Sequence, residues 1–246
     1  MFENVIRQYL HHHGFEAISL KAVLFDLDGV LYDSMPNHAY AWSHAMTQFG
    51  LHMTPEEAYM HEGRTGGGTI DILAQRAWGR TATEEEKQHI YKAKTDCFAS
   101  CPEPQAMPGA YDLLCKVREG GFLPVLVTGS GQPSLLQRLE HSFPGMFALP
   151  YMVTGFDVRH GKPHPEPYLM GLQKARINAS QAVVVENAPL GVQAAVAAGV
   201  FTIAVNTGPL PDSVLLEQGA NLLFHSMNEL SESWPSVVEA LAAVRA

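Results

Sequence analysis

Asp26 and Asp28 directly follow the apolar run Ala22-Val23-Leu24-Phe25, and Gly29 follows them. The run is short and unbroken by polar residues, which suits a strand buried on both faces. Two carboxylates therefore stand at the carboxyl end of a buried strand, where α/β proteins bind their ligands. Residues two apart on an extended segment point the same way, so both reach one substrate. An isolated Asp-x-Asp is also a common turn or helix-cap pair. Here the strand before it and Gly-Val-Leu-Tyr-Asp-Ser after it, Gly29 to Ser34, speak against that reading. A carboxylate can attack phosphorus and form an aspartyl-phosphate, dividing one hard displacement into two easier ones. A second carboxyl group then protonates the leaving oxygen and later deprotonates the incoming water or alcohol. Two negative groups facing a phosphate repel it unless a hard, oxygen-liganded cation intervenes, and magnesium suits that task.

The elements that must position this pair alternate along the chain. Pro124-Val125-Leu126-Val127, Ala182-Val183-Val184-Val185 and Phe201-Thr202-Ile203-Ala204-Val205 resemble the first strand in their continuous hydrophobicity, and Leu222-Leu223-Phe224 adds a shorter one. Between them, Pro108 opens a helix closed by Gly120 and Gly121, and Pro189 opens another ending near Gly199. Strand–helix–strand alternation predicts an α/β fold with a doubly wound, parallel, Rossmann-like sheet. From Pro36 to Pro104 the alternation stops and only helical patterns remain. Thr54-Pro55-Glu56-Glu57 and Thr83-Glu84-Glu85-Glu86 both have the capping-box spacing. This stretch is predicted to be an all-helical cap over 35–104, inserted into a discontinuous core of 1–34 and 105–246. Phe2, Val5, Ile6, Tyr9 and Leu10 predict an amphipathic first helix stopped by Gly14.

With 246 residues, 46% of them hydrophobic, the chain can bury a sizeable core. The net charge of -9 speaks against a nucleic-acid partner, since phosphate neutralisation needs clustered Lys and Arg. No uninterrupted apolar run reaches membrane-spanning length and no signal peptide is recognisable, so the expected address is the cytoplasm, without a membrane partner. Cys97, Cys101 and Cys115 lack a second Cys/His pair to complete a zinc site and read as reduced thiols. His11-His12-His13 read as a solvated helix end suited to the helix dipole. Oligomeric state is not legible.

Phe25-Asp26-Leu27-Asp28-Gly29-Val30-Leu31-Tyr32-Asp33-Ser34 resembles the first motif of the haloacid dehalogenase superfamily, and three further motifs follow in that family's order. Leu126-Val127-Thr128-Gly129-Ser130 ends a strand. Gly161-Lys162-Pro163-His164-Pro165-Glu166-Pro167 resembles the lysine motif, and Val185-Glu186-Asn187-Ala188-Pro189-Leu190-Gly191-Val192 the acidic one. The resemblance implies Asp26 as nucleophile and magnesium ligand, and Asp28 as acid/base with its backbone carbonyl on the metal. It further implies Thr128 and Ser130 on the phosphoryl group, Lys162 as charge-offsetting cation, and Glu186 and Asn187 as metal ligands. Asn187 departs from the family's usual acidic residue, and the lost charge predicts weaker metal affinity.

Within the superfamily the cap is most similar to the β-phosphoglucomutase group. His38 falls where that group links a histidine to the acid/base aspartate; a half-buried helix histidine is the alternative. Arg64 matches a cap arginine that grips the distal phosphate, against the alternative of a surface salt bridge, and Lys94 a cap lysine near the substrate. Glu62 does not suit a mutase, because a carboxylate at the cap–core seam would face a sugar phosphate; it is otherwise a surface or capping glutamate. Met60-His61-Glu62-Gly63-Arg64-Thr65 together with the acidic motif resembles a bacterial branch provisionally named β-phosphoglucomutase, which includes an inorganic pyrophosphatase. The expected function is thus a Mg²⁺-dependent phosphohydrolase on a small phosphate, with inorganic pyrophosphate the leading substrate. β-Phosphoglucomutase, a sugar-phosphate phosphatase and a catalytically silent binding module are the alternatives.

Overall fold

The computed structural model describes residues 2–129 and 135–246. Six strands form one parallel sheet: β1 Ala22–Phe25, β2 Leu123–Val127, β3 Met152–Val153, β4 Ala182–Glu186, β5 Phe201–Val205 and β6 Leu222–Phe224. Their spatial order is β3-β2-β1-β4-β5-β6. The chain leaves β1 towards one edge, through β2 to β3, and returns beside β1 as β4. That reversal is the topological switch point, and the carboxyl ends of β1 and β4 flank it. β1 is in register with β2 from Ala22 opposite Leu123 and with β4 from Ala22 opposite Ala182.

The continuous hydrophobicity of these strands has the expected cause. Val23, Phe25, Leu126, Val183 and Val185 enter one apolar cluster, and Ala22, Leu24, Val125, Val127 and Val184 enter another on the opposite face. Helices cover both faces. α1 Glu3–His13, α6 Ala110–Glu119, α7 Leu135–Ser142 and α11 Met227–Ala243 contribute to the first cluster, while α8 Glu166–Ala175 and α9 Pro189–Ala197 contribute to the second; the short α10 Asp212–Glu217 sets Leu215 against Val192 of α9. In α1, Ile6, Tyr9 and Leu10 are buried, and Gly14 ends the helix at φ 66°. α6 starts at Ala110, two residues beyond the predicted opening at Pro108, because Gly109 has a left-handed φ of 88°.

Between β1 and α6 the described chain is helical: α2 Met35–Gln48, α3 Pro55–Met60, α4 Gly66–Trp78 and α5 Glu84–Ser100. Both predicted capping boxes form, at Thr54 with Glu57 and at Thr83 with Glu86. These helices close round an apolar cluster of their own, which includes Met46, Leu51, Ile70, Leu73 and Ile90. The two connections to the core run side by side. Asp33 N–H donates to Gln105 O at 2.9 Å and Met107 N–H to Leu31 O at 2.8 Å. Gly66, Gly67 and Gly68 form the first turn of α4, capped by the Thr65 hydroxyl. No helix among the described residues is long and apolar enough to cross a membrane.

Candidate active site

The four core motifs converge at the switch point. Asp26 follows β1, Thr128 follows β2, Glu186 ends β4, and Lys162 comes from the connection between β3 and α8. Asp26 N–H still donates to Val185 O at 3.1 Å and Thr128 N–H to Val153 O at 2.9 Å, so both backbones remain fixed to the sheet. The two residues are 5% and 3% exposed, yet both line a cleft of about 550 Å³ between core and cap.

Lys162 is equally buried. Its ammonium donates to Asp26 Oδ1 and, at 2.5 Å, to Glu186 Oε1. Burial alone would pull this ammonium down, but Asp26 and Glu186 overcome it and hold the group above its ordinary value. Glu186 has no capacity left. Oε1 also accepts from the Tyr168 hydroxyl at 2.8 Å, and Oε2 accepts the N–H groups of Asn187 and Ala188 at 2.8 and 2.9 Å. Although the resemblance places Glu186 among metal ligands, its geometry is that of a brace for Lys162 and for the start of α9. Tyr168 was invisible to sequence reasoning, because a tyrosine on a helix reads simply as core.

Asp28 sits where the chain turns away from β1. Its Oδ1 accepts the Ser34 hydroxyl at 2.6 Å, and His38 Nε2 lies 3.3 Å away. Lys94 Nζ stands 2.9 Å from His38 Nδ1. An ammonium only donates, so Nδ1 accepts and Nε2–H points to Asp28. Burial pulls the imidazole down, in keeping with this neutral form. Burial also pushes the Asp28 carboxyl up, but His38, Ser34 and Lys94 outweigh it and hold it well below the usual carboxylate range. The chain Lys94–His38–Asp28 thus joins two expected cap residues to the acid/base candidate. Lys94 is only 6% exposed, and burial lowers it to about 8. Its charge lies 5.0 Å from the Phe98 ring centre and 5.4 Å from that of Trp42.

The cap enters the site through the turn after α3. Gly63 has φ 81°, and a Cβ there would lie 2.8 Å from Lys162 Cδ, so only glycine lets this turn press on the core lysine. On either side of it, Glu62 and Arg64 line the cleft. Glu62 accepts from Asn187 Nδ2 at 3.1 Å. Burial first, then the charges of Asp26, Glu186 and Asp28, push the Glu62 carboxyl well above its ordinary value. Arg64 Nε and Asn187 Oδ1 are both buried without a hydrogen-bond partner among the described residues. Ser130 lies outside the described residues.

The donor set fits a divalent cation. Among the described residues, Asp26, Asp28, Glu62 and Glu186 interact with one another around buried Lys162, with Lys94 buried beyond Asp28, so four carboxylates face two ammoniums and negative charge is left in excess out of water. Asn187 Oδ1 adds an oxygen with no hydrogen-bond partner among the described residues. Asn187 in place of the family's carboxylate also makes sense here, because its amide donates to the extra cap carboxylate, Glu62. One negative charge has in effect moved from the acidic motif to the cap.

Such a fold and such a cluster of motifs define a class, and sequence comparison supports it. The model of the haloacid dehalogenase-like hydrolases matches residues 23–205, and the chain belongs to that family. Hexitol phosphatase A of Escherichia coli is 34% identical over 214 residues, 86% of this chain and 93% of that protein. The phosphorylated carbohydrates phosphatase of Thermotoga maritima is 29% identical, covering 82% and 92%. A Bacteroides vulgatus protein provisionally named β-phosphoglucomutase has a structure with a TM-score of 0.95, 58% identity and 98% of each chain covered. The chain is accordingly an enzyme of the phosphatase and phosphomutase type.

Proposed function

We propose that this enzyme is a phosphohydrolase of small phosphorylated carbohydrates, working through an aspartyl-phosphate on Asp26. One observation carries the reading: the buried Asp26 carboxylate and the hydrogen-bonded Asp28 share a cleft of about 550 Å³, which has room for a sugar as well as its phosphate. The substrate class follows the relatives, which are named for hexitol phosphate and phosphorylated carbohydrates. They back the sugar-phosphate alternative better than the leading expectation of pyrophosphate.

In the first step an Asp26 oxygen bonds to phosphorus, the ester P–O bond breaks, and Asp28 gives its proton to the departing sugar oxygen. Asp28 is held ionised while the cleft is empty of substrate; an anionic phosphoryl group arriving beside it raises its proton affinity. In the second step water attacks the same phosphorus, Asp28 takes its proton, and the Asp26–phosphorus bond breaks. Lys162 and the Thr128 hydroxyl offset charge on the transferring group. Asp26, an Asp28 oxygen and Asn187 Oδ1 would hold Mg²⁺, which neutralises the phosphoryl oxygens and draws the two anions together. Glu186 positions Lys162, and Arg64, whose buried Nε has no hydrogen-bond partner among the described residues, takes the far end of the substrate.

Inorganic pyrophosphate is the second reading, and Glu62 favours it. A cap carboxylate aimed into the cleft suits a small, fully charged substrate clamped between Arg64 and Lys162 better than it suits a sugar ring. Phosphate release from hexitol phosphates, β-glucose 1-phosphate and pyrophosphate, compared in Mg²⁺, separates the readings. The proposal expects hydrolysis of the carbohydrate esters to be the fastest. A clear preference for pyrophosphate, falling more than about tenfold in Glu62→Gln, would replace it with the second reading. Conversion of β-glucose 1-phosphate to an isomer without phosphate release would show a mutase.

Asn187→Asp adds a charge to the proposed magnesium site, so the Mg²⁺ concentration for half-maximal activity is expected to fall several-fold. An unchanged Mg²⁺ dependence would remove Asn187 from the ligand set.

A further inference from the structure

The segment that delivers Lys162 carries a second cluster of ligating side chains, outside the cleft. His160 and His164 flank Lys162 at two residues on either side, and Glu166 follows as the first residue of α8. Their side chains turn to one another. His160 Nδ1 lies 2.8 Å from Glu166 Oε2, His164 Nδ1 lies 3.9 Å from the same oxygen, and the two rings are 4.7 Å apart. One ligand atom from each residue lies within 4.8 Å of the other two. The carboxylate is held in place: Oε1 accepts Arg159 N–H at 2.8 Å and Oε2 accepts His160 N–H at 3.0 Å. Glu166 is thus oriented by the backbone of the loop that presents the imidazoles. Outer contacts of this kind fix metal-binding carboxylates.

We propose that His160, His164 and Glu166 form a surface site for a zinc-class divalent transition metal, independent of any magnesium in the cleft. Ligand chemistry sets the class. Two imidazole nitrogens with one carboxylate oxygen suit borderline metals such as Zn²⁺ or Co²⁺, whereas Mg²⁺ takes oxygen ligands. The imidazoles are 64% and 50% exposed, so an ion can reach them. His164 Nδ1 accepts Glu166 N–H at 3.1 Å, a bond that rotation of this exposed ring gives up as the nitrogen closes the 3.9 Å gap to the carboxylate. The cleft is lined by Arg159, Gly161 and Lys162 but by neither histidine, which places the site on the other side of the loop. A bound ion would tie 160 to 166 and pin the segment that presents Lys162.

Cobalt titration of the intact protein in excess Mg²⁺ tests this through optical absorption, a readout separate from activity. One equivalent of Co²⁺ is expected to give visible d–d bands that disappear in His160→Ala and in His164→Ala but persist in Asp26→Asn. Zn²⁺ is expected to raise the melting temperature of the unmodified protein and not of the two histidine variants. The proposal fails if no Co²⁺ binds. It fails equally if the band survives both histidine changes, as binding at His11–His13 would give, or vanishes in Asp26→Asn, as binding in the cleft would give.

Discussion

Asp26→Asn is expected to lower phosphate release by more than about a thousandfold, as loss of a catalytic nucleophile does elsewhere. The amide keeps the volume and shape of the carboxylate but is too weak a nucleophile to attack phosphorus. The fold should survive the change. Lys162 retains Glu186 as a charged partner at 2.5 Å, and Asp26 N–H stays bonded to Val185 O. Removing the charge also relieves a strain in the site. Burial, with Glu186 and Asp28 nearby, pushes the Asp26 carboxyl up against the pull of Lys162, so its ionised form is not at ease there. Two measurements on one preparation check this: rapid-quench trapping of ³²P on the protein, and a thermal melt. Acid-stable label on the asparagine variant, or turnover within tenfold of the parent, would contradict Asp26 as the attacking group.

Gly191→Ala is expected to disable the enzyme from a position that touches no substrate. A Cβ on Gly191 would stand 1.7 Å from Glu186 Oε1 and 2.1 Å from its Cδ, far inside van der Waals contact. Glu186 is fully buried, so its carboxylate cannot escape to solvent. Moving it breaks the contacts with Lys162 and Tyr168 and strands buried charge, a defect that costs about 3–5 kcal/mol. For a chain of this size that corresponds to a fall in melting temperature of roughly 10 °C. Activity should fall with it, because Lys162 loses its brace. Shortening the carboxylate in Gly191→Ala/Glu186→Asp is expected to restore part of both. A single variant with the parent's melting temperature and activity would mean that Glu186 is not held as the hydrogen bonds indicate.

The two variants probe different kinds of information. The importance of Asp26 is legible along the chain, because an apolar strand with carboxylates at its end is a local pattern. The same holds for β1, β4 and β5, whose residues are buried on both faces and therefore read as unbroken hydrophobic runs. Capping boxes at Thr54 and Thr83 are local too, each needing only four residues. β3 was not legible, since two residues, Met152 and Val153, carry no periodicity. The long α11 is a mixed case: its buried Leu230, Trp234, Val237 and Leu241 have the local spacing of an amphipathic helix, but the sheet face on which they rest is set only by the fold.

Sequence alone determined the reaction class: Asp26, Asp28, Thr128 and Lys162 each stand in a motif whose residue types answer to phosphoryl chemistry. Folding decided what those residues contact. It gave Glu186 to Lys162, Tyr168 and two backbone amides, and paired Glu62 with Asn187 across 125 positions of chain. It also linked Lys94 to Asp28 through His38, with 56 positions of chain between Lys94 and His38. Such partnerships depend on which strand ends lie side by side and where a cap turn comes to rest. Those are long-range outcomes of packing, and no local spacing encodes them.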